Sequence, residues 1–163
     1  MLSEKIHKML NDQVNLEFSS AFVYLSMATY FDDKNLSGFA HWMKVQYEEE
    51  VKHARKIMGY IEDRLAKVDL KTMEVTKTAW ASPLDAFKDA FAHEQHVTKS
   101  INAIVTAAMA EHDHATVTFL NWFVDEQVEE EKSTDEVVQK LIMIGEGKHG
   151  LYMLDREMAR RED

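Results

Sequence analysis

A chain of 163 residues with one proline, five glycines and 45% hydrophobic residues has the length of one domain and the composition of an almost wholly helical protein. Its formal charge of −10 argues against a nucleic-acid partner, which would require a basic face. Cysteine is absent, so disulfides and thiolate metal sites are excluded. Neither a secretory signal nor a membrane-spanning apolar run is seen. We therefore predict a single cytoplasmic domain over residues 1–163, without membrane or nucleic-acid partners.

Two long helices are predicted at the start of the chain, followed by a long connection. The first covers residues 4–32 with Ser3 as its N-cap, and the second runs over residues 36–66. Residues 67–82 alternate apolar and polar side chains, which predicts an extended segment along the surface. A connection of this length can run from one end of a bundle to the other, so the helices on either side of it can be parallel.

The second half of the chain is predicted to hold two more long helices and a short one. A Ser-Pro pair at residues 82–83 supplies an N-cap and a proline at the first helical position, and the third helix follows to residue 111. A corner at residues 112–114, with Asp113 as N-cap, leads to a fourth helix ending near residue 144. Glycines end that helix, and a short amphipathic helix follows. These elements predict an all-α fold, a four-helix bundle with a long crossover between helices two and three and a short fifth C-terminal helix.

Each of the four long helices carries one carboxylate in the middle of its apolar stripe. Steps of seven residues join Glu17, Glu50, Glu94 and Glu130 to apolar neighbours on their own helices. His53 lies on the same face as Glu50, about one turn further on. A buried carboxylate is costly unless something pairs with it, and carboxylates with an imidazole suit iron, manganese or zinc. In an antiparallel bundle the four carboxylates would lie at one height, which predicts a two-metal site.

These features together resemble a non-haem ferritin of the type found in bacteria and archaea, over essentially the whole chain. The motifs that carry the resemblance are Glu17 with Tyr24, Glu49-Glu50-Val51-Lys52-His53, Glu94, and Glu126-Gln127-Val128-Glu129-Glu130. Each motif is weak alone, whereas their order and spacing together are specific. Val51 stands where haem-binding relatives have methionine, so no haem is predicted.

The resemblance also implies roles for individual residues. The ligands that it implies for the first iron are Glu17, Glu50 and His53, and those for the second iron are Glu50, Glu94 and Glu130. The ligands that it implies for a third iron are Glu49, Glu126, Glu129 and Glu130. By the same resemblance Gln127 forms hydrogen bonds near the iron pair, and Tyr24 supplies an electron during oxidation. The catalytic residues are therefore expected to be Tyr24, Glu50, His53 and Gln127.

The function implied by the resemblance is iron storage by a ferroxidase. Fe(II) would be oxidised by dioxygen or hydrogen peroxide within each subunit, and Fe(III) mineral would collect inside a homo-oligomeric cage of about 24 chains. Hard anionic oxygen ligands stabilise Fe(III) over Fe(II), and a site with a single histidine favours oxidation further.

Alternative interpretations of the same residues remain open at this point. The buried carboxylates and His53 can form salt bridges, and Tyr24 can be a core aromatic with a satisfied hydroxyl. Glu49, Glu126 and Glu129 can be a solvated acidic face. Two rival functions are a di-iron oxidase or peroxidase of the rubrerythrin type and a structural bundle. Proteins of the rubrerythrin type usually carry a four-cysteine module, and the absence of cysteine argues against the former.

Overall fold

The computed structural model describes residues 1–75 and 77–162. The helices in chain order are α1 Glu4–Asp33, α2 Ser37–Asp63, α3 Pro83–Ala110, α4 His114–Ile144 and α5 Lys148–Met158. The predicted all-α fold class is confirmed, since no strand occurs among these residues. The main packing pairs are α1 with α2 and α3 with α4, while α5 packs mostly on α2. Over the same residues, none of the helices is both long and apolar enough to cross a membrane.

The ends of the helices follow local capping chemistry. The side chains of three residues each accept a hydrogen bond from the backbone N–H three positions later in the chain. They are Ser3, Ser82 and Asp113, with distances of 3.2, 3.1 and 3.2 Å respectively. These are the three N-caps that the sequence predicts. The end of α2 differs from the expectation, because the helix stops at Asp63 instead of continuing to residue 66. Leu65 adopts a left-handed conformation with φ of 58°, which ends the helix as a glycine commonly does.

The crossover after α2 is held along α1 by polar side chains spaced four residues apart. Asn11 Oδ1 accepts the backbone N–H of Asp69 at 2.8 Å, and Asn15 Oδ1 accepts that of Lys71 at 2.7 Å. Both asparagines are buried, at 6% and 7% exposure. The crossover thus lies on the bundle surface as predicted. It is held there by hydrogen bonds from its own backbone to side chains of α1, as well as by apolar contacts.

The core of the bundle consists of two apolar clusters separated by a polar layer. On every long helix, the predicted carboxylate lies between a residue of one cluster and a residue of the other. On α2, for example, Met43 belongs to one cluster, Ile57 belongs to the other, and Glu50 lies between them. The carboxylates therefore meet at one height in the bundle.

The short helix α5 closes one end of the bundle by capping α2. Asp155 Oδ1 accepts the backbone N–H groups of Gly38 at 2.9 Å and Phe39 at 3.0 Å. These donors need an external acceptor, because Leu36 at the N-cap position provides no side-chain hydrogen bond. A Cβ atom at residue 38 would lie 1.6 Å from the carbonyl oxygen of Asp155, so this approach of the two backbones requires glycine.

Two glycines of α2 should therefore respond in opposite ways to alanine. We expect Gly38→Ala to lower the free energy of unfolding by about 1–3 kcal/mol, since the methyl group must displace the backbone of α5. Gly59→Ala is the matched control, because no heavy atom of the described residues outside the neighbouring backbone of α2 lies within 4 Å of its Cβ position. That change should stabilise α2 by about 0.5–1 kcal/mol. Urea-induced unfolding of the apo-protein measures both, and equal effects would contradict the close packing of α5.

Candidate metal centre

The polar layer contains the five residues predicted to bind the iron pair, and all are nearly inaccessible to solvent. The exposed fraction is 1% for Glu17, Glu50 and Glu94, and 4% for His53 and Glu130. Burial of four acidic side chains in one layer is unfavourable unless protons, hydrogen bonds or cations compensate for it. The contacts of each carboxylate therefore indicate what this layer is built to bind.

The tightest group in this layer is Glu17, Glu50 and His53. His53 Nδ1 lies 4.0 Å from Glu17 Oε2 and 3.8 Å from Glu50 Oε2. One ligand atom from each residue lies within 4.8 Å of the others. Oε2 of each glutamate is buried without a hydrogen-bond partner among the described residues. Two partnerless carboxylate oxygens beside an imidazole nitrogen are a donor set suited to a divalent cation.

A second group of three is formed by His53, Glu126 and Glu130. His53 Nε2 lies 4.0 Å from Glu126 Oε1, so the imidazole presents one nitrogen to each group. The sequence motifs had assigned Glu50, Glu94 and Glu130 to a second iron. Within the part of the chain that the structure describes, those three carboxylates do not converge as tightly. Their joint role as ligands stays a prediction.

Glu94 is held by side chains from two other helices. The hydroxyl of Tyr24 donates to Glu94 Oε1, and Gln127 Nε2 donates to Glu94 Oε2 at 3.2 Å. Gln127 Nε2 also donates to Thr98 Oγ1 at 3.3 Å. Tyr24 is fully buried, with its ring 6.5 Å from that of Trp42. The structure thus places both Tyr24 and Gln127 against a carboxylate of the polar layer, next to the predicted iron pair.

Two buried glutamines that the sequence motifs did not identify hold the other carboxylates. Gln13 Nε2 donates to Glu17 Oε1 at 2.7 Å. Gln46 Nε2 donates to Glu130 Oε2 at 2.8 Å and to Glu50 Oε1 at 3.3 Å. Each glutamine lies four residues before the carboxylate on its own helix, a spacing that puts both side chains on one face. That spacing was the signal in the sequence that could have identified them.

Burial and mutual repulsion raise the pKa values of the four buried carboxyl groups in this layer. Burial raises the pKa of Glu94 to about 7 and that of Glu130 to about 8. Burial, followed by repulsion from Glu50, raises the pKa of Glu17 well above its usual range, and burial followed by repulsion from Glu94 does the same for Glu50. The pKa of the Tyr24 hydroxyl is raised by burial and by Glu94. Without a cation the layer retains protons, which a bound metal ion displaces.

The residues predicted to form a third iron site are more dispersed. Glu126 belongs to the second group described above, and Glu129 is exposed. The carboxylate of Glu49 accepts a hydrogen bond from the guanidinium of Arg161. Repulsion from Glu49 contributes to the raised pKa of Glu130, so these two carboxylates lie near each other. The third site stays a prediction.

A four-helix bundle with a buried layer of carboxylates and one imidazole defines a protein of the ferritin-like class. The sequence model of the ferritin-like domain family matches residues 7–144. The chain is 43% identical over 163 residues to a bacterial non-heme ferritin of Bacteroides fragilis, covering 99% of this chain and 100% of the relative. A bacterial non-heme ferritin of Staphylococcus haemolyticus is 41% identical, with coverage of 99% and 97%.

Solved structures give the same result. The chain matches an open pore ferritin from the archaeon Archaeoglobus fulgidus with a TM-score of 0.98 and 47% identity, over 99% of this chain and 100% of the other. An engineered closed form of that ferritin matches with a TM-score of 0.97 and 46% identity, over 99% of each chain. This chain therefore belongs to the ferritin family, as its sequence motifs predicted.

Proposed function

We propose that this protein is an iron-storage ferritin of the cytoplasm, with residues 1–163 acting as one domain. It oxidises Fe(II) at a two-iron centre inside each subunit and deposits Fe(III) mineral within a homo-oligomeric cage. The observation that carries the proposal is the pair of buried carboxylate oxygens of Glu17 and Glu50 beside His53, for which the described part of the chain supplies no hydrogen-bond donor. The full-length similarity to non-heme ferritins supports iron as the cation.

The ligands of the two ions follow from this layer. Glu17, Glu50 and His53 bind one Fe(II), and Glu50 with Glu94 and Glu130 binds the other, so Glu50 is shared. The first three side chains are already close together. For the second ion, Glu94 and Glu130 must turn toward Glu50 and give up protons that burial has retained. Binding should therefore release more protons at neutral pH than at high pH.

The oxidation step needs an acceptor for two electrons. Each Fe(II) gives one electron to dioxygen, which takes up two protons and becomes hydrogen peroxide, or to hydrogen peroxide, which takes up two protons and becomes two water molecules. Anionic oxygen ligands stabilise the Fe(III) that results. If a third Fe(II) also takes part, Tyr24 can supply the fourth electron, so that dioxygen takes up four protons and becomes two water molecules; the hydroxyl proton of Tyr24 passes to Glu94, which it already contacts. Gln127 orients Glu94 through its own hydrogen bond.

A third iron site completes the proposal, and no haem is included. Its ligands are Glu49, Glu126, Glu129 and Glu130. The exposure of Glu129, the intermediate burial of Glu126 and the burial of Glu130 form a gradient from solvent to the iron pair. An ion in this group would therefore lie between the surface and the buried centre, where product leaves and new Fe(II) arrives.

Light scattering, with iron per subunit measured on the same sample, tests this function. We expect a particle of about 450 kDa, which corresponds to roughly 24 chains of 18.9 kDa. After aerobic loading, the iron content should rise far above two per subunit, because mineral collects inside the cage. A monomer or dimer without stoichiometric metal would contradict storage and favour a purely structural bundle.

A further inference from the structure

We propose that Arg161, which follows α5, sets the affinity of the third metal site by acting as a tethered cation on Glu49. The inference rests on the proposed function, because it concerns the third of the three ions assigned above. It makes Arg161 a positioning residue, since its guanidinium contacts a ligand of that site and acts on the metal ion through the ligand.

The contact is an ion pair between two distant parts of the chain. Arg161 Nη2 donates to Glu49 Oε2, and the two side chains are only 18% and 21% exposed. The other terminal nitrogen of the guanidinium, Nη1, is buried and has no hydrogen-bond partner among the described residues. The guanidinium of Arg161 therefore contacts Glu49 through one terminal nitrogen, while its other terminal nitrogen is a buried donor without an acceptor among the described residues.

The approach of Arg161 is built into one face of α2. Gly38, where α5 docks, lies at the start of this face. Trp42 lies one turn further along the helix, and Glu49 lies two turns beyond Trp42. The guanidinium carbon of Arg161 lies 4.1 Å from the ring centroid of Trp42, close enough for a cation–π interaction. The backbone carbonyl of Arg161 is hydrogen-bonded to His41 Nε2 at 2.9 Å. These contacts span about 16 Å of helix and hold the guanidinium in place before any metal binds.

This placement has a consequence for the third ion. A guanidinium on Glu49 occupies a carboxylate oxygen that a metal ion would use, so the two cations compete. The third ion must displace Arg161, and its affinity falls by the strength of the ion pair. Among the described residues, no hydrogen bond or ion pair joins Arg161 to Glu17, Glu50 or His53, so binding of the first ion should not depend on Arg161. Arg161 therefore makes the third ion bind more weakly than the first two. Weak binding suits an ion that must leave its site again.

Anaerobic calorimetric titration of the apo-protein with Zn²⁺, a redox-inactive probe, tests this inference. The variants are Arg161→Gln, Arg161→Lys and, as matched control, Arg160→Gln, which removes the same charge from the exposed neighbour. We expect the third Zn²⁺ per subunit to bind about two- to fivefold more tightly in Arg161→Gln, as loss of a partly exposed ion pair allows. Arg161→Lys and Arg160→Gln should bind it like the wild type.

The outcomes separate this inference from the function on which it rests. If wild-type protein fails to bind the first two Zn²⁺ ions, the proposed function is overturned together with the inference. If two ions bind and Arg161→Gln leaves the third unchanged or weakens it, only the inference is overturned. The inference is also overturned if Arg161→Lys behaves like Arg161→Gln, or if Arg160→Gln tightens binding equally. Light scattering on every variant checks that the assembly is unchanged.

Discussion

We expect Glu50→Ala to slow the oxidation of the first two Fe(II) ions per subunit by roughly 100-fold or more. Loss of a side chain that only supports a metal ligand costs about 10–100-fold, and Glu50 is the ligand that both ions share in our proposal. Its neighbours His53 and Gln46 remain, but no bridging carboxylate is left to couple the two ions. Stopped-flow absorbance with two Fe(II) per subunit in aerobic buffer measures the rate.

The control for this variant lies on the same helix. Glu48→Ala removes an exposed carboxylate two residues before Glu50 and should oxidise iron at the wild-type rate. Circular dichroism of both apo-proteins establishes that they fold. A wild-type rate in Glu50→Ala would show that the two-iron assignment is wrong. Unfolding of the apo form of Glu50→Ala alone would show that Glu50 is a structural residue.

The apo-protein should lose stability as the pH rises from about 5 to about 9. Burial raises the pKa of Glu94 to about 7 and that of Glu130 to about 8, so the folded state keeps protons that the unfolded chain releases near pH 4.5. This contribution to stability is complete below the unfolded pKa and disappears as the pH passes the folded values. At about 1.4 kcal/mol per pH unit, these two carboxyl groups together account for a loss on the order of 6 kcal/mol between pH 5 and pH 9. Urea-induced unfolding of metal-free protein at pH 5, 7 and 9 measures it.

An isosteric variant distinguishes the effect of the buried Glu130 carboxylate on stability from the general effect of negative charge on the protein surface. Glu130→Gln cannot ionise, so its stability should fall less with pH and exceed that of the wild type at pH 9. Glu48→Gln, an exposed change of the same kind, should keep the wild-type pH profile. Addition of Zn²⁺ should restore stability to the wild type at pH 9, because a cation replaces the lost protons. A Glu130→Gln variant that is weaker than wild type at pH 9 would mean that Glu130 is paired structurally.

The sequence by itself determined the helices, most of their ends and the height of the polar layer. The reason is that these features depend on local chemistry and on the period of a single helix. Ser82 caps α3 through a bond spanning three residues, and the sevenfold spacing around Glu17 or Glu130 places each on the inner face of its own helix. The family membership followed from the same motifs, since their order along the chain is itself a sequence property.

Only the tertiary structure decided which side chains meet across the bundle. Gln46 bridges Glu50 and Glu130 because α2 and α4 pack together, and nothing in the periodicity of α2 identifies its partner on α4. The pairing of Arg161 with Glu49 joins residues more than a hundred positions apart, through the docking of α5 on α2. Such contacts depend on the relative rotation and depth of packed helices, which side-chain packing over the whole core determines.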